Sequence, residues 1–135
     1  MPWTRTEVAE QHLHVTTSTL RSYERAAGFR PSGAAAFQEF ASATYDPADI
    51  AVLQIIHHAA EIGIAGANLA KVHDAAKTLR PFLKPGWRGL CVTTDDGRAW
   101  QIGDGAPGPA SVNEVADSLA DDVRITAVVS VEVPE

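Results

Sequence analysis

The sequence predicts an α+β protein in which short helices fill residues 1–80 and a small β-β-α-β unit fills residues 81–135. Three observations carry this. Apolar residues recur at helical spacing, between recognisable caps, as far as Leu79. After Pro81, Pro85 and Gly86 the pattern changes to the apolar–polar alternation of strands. Charge divides at the same place: of the net −6, residues 1–80 carry −1 and residues 81–135 carry −5. With 135 residues, 45% of them hydrophobic, the chain suffices for one ordinary domain or two small ones sharing a core.

The first helix is expected from about Thr6 to His12, capped by Thr4 or Thr6, with Val8, Ala9 and Leu13 on its apolar face. After Val15, the hydroxyls of Thr16-Thr17-Ser18-Thr19 offer a cap to a second helix of about ten residues, which Gly28 stops. Two short helices joined by a tight turn make a helix-turn-helix, whose second helix enters the major groove of DNA. Residues 29–45 read as an irregular stretch holding Phe37, Phe40 and Tyr45, which in a winged form of the motif is the wing. Asp46-Pro47 is the clearest helix start, an N-cap followed by Pro at the first helical position, with Ile50, Leu53, Ile56 and Ala60 behind it and Gly63 at its end. A further helix is expected from about Gly66 to Leu79.

In the second part, Gly89–Thr94 and Arg98–Ile102 form a hairpin about the Asp95-Asp96-Gly97 turn. Ser111 and Glu114 make a capping-box pattern before a helix carrying Val115 and Leu119. Val123 to Val133 alternates as one long strand.

Glu7-Val8-Ala9-Glu10, Val15, Ser18-Thr19-Leu20-Arg21-Ser22-Tyr23-Glu24-Arg25, Gly28-Phe29 and Pro31 together resemble the opening of MerR-family regulators. Tyr45, Asp49, Leu53, Ile56, Gly63 and Leu69 follow about where that family's second helical pair would place them, so the resemblance covers residues 3–73. It implies a winged helix-turn-helix that binds DNA as a dimer and commonly distorts a promoter spacer. It also implies that Arg21 contacts DNA from the recognition helix and that Tyr23 bonds a backbone phosphate. The chain departs from the family pattern in four ways. One extra residue lies between Ala9 and Val15, with His14 where the turn holds Gly, and another lies between Tyr23 and Gly28. Ala43 stands where the wing supplies an arginine. The long dimerisation helix and effector domain do not follow.

From spacing alone, Arg21 and Arg25 share one helix face with Ser18 and Ser22 beside them, and guanidinium groups pair bidentately with guanine edges and phosphates. Together with what the resemblance implies for Tyr23, the candidate DNA-binding set is Thr17, Ser18, Thr19, Arg21, Ser22, Tyr23 and Arg25; the competing reading is a solvated helix whose arginines pair with Glu24 or Glu10. No metal is expected, because adjacent His57 and His58 point about 100° apart and His73 brings no acidic or thiol partner. Gly103, Gly105 and Gly108 spell G-x-G-x-x-G, but they follow a hairpin strand, Pro107 and Pro109 stiffen them, and too little chain remains for a dinucleotide fold; no cofactor is expected. No catalytic serine, cysteine or carboxylate pair stands out, so an enzyme is not expected. Lone Cys91 reads as a small apolar strand residue in a reducing compartment. With no membrane-length apolar run and no signal-like start at Met1-Pro2-Trp3-Thr4-Arg5, the expected location is cytoplasmic.

The expected function is a sequence-specific, dimeric, DNA-binding transcriptional regulator. The acidic residues 81–135 would dimerise it, through the valine-rich last strand at a sheet edge, or hold another protein. The alternatives are an excisionase-like DNA-architectural accessory factor and a protein-interaction or antitoxin-like adaptor.

Overall fold

The computed structural model describes residues 3–33, 44–103, 108–109 and 111–135. Trp3–Thr4 form a short strand, β1, and Thr4 then caps helix α1, Arg5–Glu7, through a capping box in which Glu7 answers it. The helix expected over Thr6–His12 therefore starts one residue earlier, and it is not α-helical throughout. Val8–Leu13 continue it as a π-helix, in which the His14 N–H reaches back to the Ala9 carbonyl. A π turn takes up one residue more than an α turn, which is how the chain absorbs the extra residue between Ala9 and Val15 while keeping Val8, Ala9 and Leu13 buried. His14 closes the segment with left-handed geometry, φ 56° and ψ 45°, a conformation that favours glycine and that histidine adopts more readily than most side chains.

Thr16 caps helix α2, Thr17–Ala27, its hydroxyl accepting from the Thr19 N–H, and Gly28 ends the helix at φ 72°. The stretch expected to be irregular over 29–45 ends in a second short strand, β2 (Thr44–Tyr45), antiparallel to β1 with Trp3 opposite Tyr45. Phe37, Phe40 and Ala43 lie outside the described residues. Helix α3, Pro47–Glu61, begins at the Asp46 capping box with Pro47 in its first turn, and helix α4 is Ala67–Lys77. A single 3₁₀ turn, Arg80–Phe82, leads to the second half.

There β3 (Arg88–Thr94) and β4 (Ala99–Ile102) form a hairpin, with Gly97 at φ 85° in the turn; helix α5 (Val112–Ser118) and strand β5 (Ile125–Glu132) follow. Leu119 falls just past the end of α5 in extended geometry. The three strands are antiparallel in the order β4-β3-β5, so among the described residues β5 lies at an edge. Residues 104–107, inside the glycine-rich loop, are not among those described.

Helix α3 is central because it is apolar nearly all round: Ile50, Ala51, Val52, Leu53, Ile55, Ile56 and Ala59 are all buried. It packs against α4 and the π-helical segment and also against β5. One core cluster consequently runs from Val8, Leu20 and Tyr45 through α3 to Cys91, Val129 and Val131 on one face of the sheet. The opposite face packs Val92 and Ile102 against Val115 of α5. Buried and surrounded by apolar atoms, the Cys91 thiol is pushed up to about 12 and stays protonated at neutral pH.

Candidate nucleic-acid interface

Helix α2 divides cleanly into two faces. Leu20, Glu24 and Ala27 point into the core, while Ser18, Arg21, Ser22 and Arg25, at spacings of three and four, form an exposed stripe. Four of the seven expected residues thus share one accessible surface. Thr17 and Thr19 are half-buried at its N-terminal end, where Thr16 Oγ1 accepts from the Thr19 N–H at 3.1 Å. The Ser22 hydroxyl is turned back on the Ser18 carbonyl at 3.2 Å. Tyr23 lies off the stripe: half-buried, its ring is tilted against His57 of α3 with centroids 5.4 Å apart. Burial, and then the charge of Glu61, raise the Tyr23 phenol above its ordinary value.

The acid between the two arginines is turned inward. Glu24 accepts from Arg5 Nε at 3.1 Å and from the Tyr45 hydroxyl at 2.7 Å, while Tyr45 is fully buried and Glu24 is 7% exposed. This triad fastens α2 to α1 on one side and to β2 on the other. Burial, followed by the hydrogen bond to Glu24, raises the Tyr45 phenol so far that it remains a donor across the physiological range. At the other end of α2, His73 of α4 lies 2.9 Å from the Ala27 carbonyl through Nδ1, and burial lowers it below the ordinary histidine value.

A second polar group holds the neck of the segment between α2 and β2. The fully buried Asp49 accepts from the Ser32 N–H and hydroxyl at 2.9 and 2.7 Å and from the Asp46 N–H at 3.0 Å. Arg80 clasps Asp49 and Asp46 at 2.6 and 2.7 Å. The Gly33 N–H donates to the Thr44 carbonyl at 3.1 Å, and a Cβ at Gly33 would run into the Thr44 hydroxyl and carbonyl oxygen. Both ends of the expected wing are therefore pinned side by side, directly beside the start of α3.

These positioning residues were not singled out as sites in sequence. Asp49 is visible there as the third residue after a cap, but its partners Ser32 and Arg80 are 17 and 31 residues away, and Glu24 meets Tyr45 across 21. Among the described residues no group of three or more histidine, cysteine or acidic side chains is placed to hold a metal ion, and no helix is long and apolar enough to cross a membrane.

In DNA-binding proteins a helix-turn-helix sets its second helix in the major groove, and α2 is the second helix here, solvent-facing and arginine-bearing. The profile of the MerR HTH family of regulatory proteins matches residues 4–76, more than half the chain, and the chain belongs to that family. It is a DNA-binding transcription regulator of a non-enzymatic family. Comparison with curated proteins and with solved structures finds no significant match.

Proposed function

We propose that this protein is a cytoplasmic, sequence-specific regulator that binds double-stranded DNA as a homodimer. Residues 1–80 form its winged DNA-binding region, and residues 81–135, a β-β-α-β unit, bring two copies together or hold a protein partner. The exposed stripe of Ser18, Arg21, Ser22 and Arg25 on α2 carries the reading. It offers two guanidinium groups and two small hydroxyls on one helix face, a set that meets guanine edges and phosphates together. Thr17 and Thr19 lie at the N-terminal end of the same helix, where its dipole favours phosphate, and Tyr23 meets a phosphate at the margin. The segment that leaves at Gly33 and returns at Thr44 acts as the wing.

Two copies are required because one helix-turn-helix touches too few phosphates and bases for tight binding at physiological salt. Selection of bound duplexes from a random pool tests the reading. Enrichment of a two-fold repeated half-site, lost on Arg21→Ala, is the expected result; a pool that stays random overturns it.

A further inference from the structure

We infer that the partner on strand β5 is a second copy of this chain, whose own β5 adds antiparallel to the open sheet edge about a two-fold axis at Val129. This rests on the dimer proposed above and says where and in what register it forms.

Among the described residues, strand β5 pairs with β3 on one side only. Val133 bonds back to Gly86 and Trp87 at 2.9 Å, so its peptide groups face β3. One residue earlier they face away: Gln54 of α3 donates from Nε2 to the Glu132 carbonyl at 2.8 Å and accepts the Glu132 N–H on Oε1 at 2.9 Å. The Gln54 carboxamide thus occupies the place that a neighbouring strand's peptide would take, and it closes the edge at Glu132. Peptide direction alternates along an antiparallel strand, so Ser130 and Val128 also present their N–H and C=O outward. At the far end the pairing shifts register between Thr93 and Thr94, skipping Thr126, and this bulge interrupts the edge. The open stretch is therefore short, bounded by Gln54 at one end and a bulge at the other.

A long foreign strand does not fit between those stops. A second β5 does, because the two-fold at Val129 sets Val128 of each copy opposite Ser130 of the other and uses the outward peptides of this stretch and no others. Charge supports the same orientation. Glu61, which also pairs with His57 on its own helix, lines the groove beside Ser130 with His58, Arg88 and Glu132, while Lys71, Asn68 and Asp95 line the groove beside Thr126. Antiparallel pairing brings Glu61 of each copy toward Lys71 of its partner, and both side chains are exposed.

Sedimentation equilibrium of the full chain tests this with four variants: Ser130→Pro, Glu61→Lys, Lys71→Glu and the double charge exchange. Ser130 is exposed, and proline is tolerated on an edge strand where its N–H would face solvent. The wild type should sediment at twice the 14.3 kDa chain mass, and Ser130→Pro as a monomer with an unchanged circular dichroism spectrum. Each single charge reversal should weaken the dimer by about three- to ten-fold, and the double exchange should restore it. A monomeric wild type overturns the dimer itself. A dimeric wild type with a folded, still dimeric Ser130→Pro variant overturns only the β5 interface. Should Ser130→Pro unfold, the charge exchange decides: recovery in the double variant supports the interface and its absence refutes it.

Discussion

Tyr45→Phe isolates one hydrogen bond that fastens α2 to the rest of the domain. The ring is fully buried and stacked 6.5 Å from Phe29, so phenylalanine fills the same space and only the hydroxyl is lost. That hydroxyl donates to a buried carboxylate at 2.7 Å, and without it Glu24 keeps only the Arg5 bond at 3.1 Å of the two described. A hydrogen bond to a charged group contributes about 1.5–3 kcal/mol. For a chain of this size that lowers the melting temperature by about 5–15 °C. Urea unfolding read by circular dichroism measures it, with an unchanged m-value showing that the denatured state is unaffected. A loss below about 0.5 kcal/mol, within the range of an ordinary surface substitution, would refute the view that this triad holds α2 in place. Glu24→Gln and the double variant complete a cycle: the two substitutions should couple, because they remove the two ends of one bond.

Arg21→Ala should weaken binding to the selected site by about 1–3 kcal/mol while the chain stays folded; Arg25→Ala should weaken all sequences alike and reduce the salt slope by about one. Equal affinity for wild type and Arg21→Ala would remove α2 from the groove. His14→Gly should raise stability by about 0.5–1 kcal/mol, because glycine relieves the left-handed strain at φ 56° but has more conformational entropy to lose. His14→Val should lower it, and a thermal melt of both variants reads the sign. Burial holds His73 below its ordinary value of 6.5, so the unfolded chain takes up a proton that the folded chain resists. Stability should therefore be full above about pH 6.5 and fall as the pH drops below it, a slope that His73→Gln reduces. Burial shifts His12 in the same direction, so part of the slope should survive that substitution. Unchanged slopes in urea titrations across this range would show that the Ala27–His73 contact is not made by neutral histidine.

Local chemistry was legible without the structure. Asp46-Pro47 announces α3, Thr16 and Gly28 bracket α2, and the spacing of Ser18, Arg21, Ser22 and Arg25 puts them on one face, because caps and helical periodicity depend on residues within a few positions of each other. The family resemblance rested on the same local pattern and was met by the profile match over residues 4–76. What sequence alone left open depends on contacts between distant segments. A π turn rather than an α turn over Val8–Leu13 is selected because Val8, Ala9 and Leu13 must all reach one core despite an extra residue, and the core exists only after folding. The inward turn of Glu24, which clears the arginine face, depends on Arg5 and Tyr45. The Val123–Val133 alternation announces a strand that begins at Ile125, but its place at the edge, and the Gln54 carboxamide that closes that edge at Glu132 across 78 residues, are decided by how α3 packs on the sheet, since a side chain's partner is whichever group the tertiary fold delivers to it.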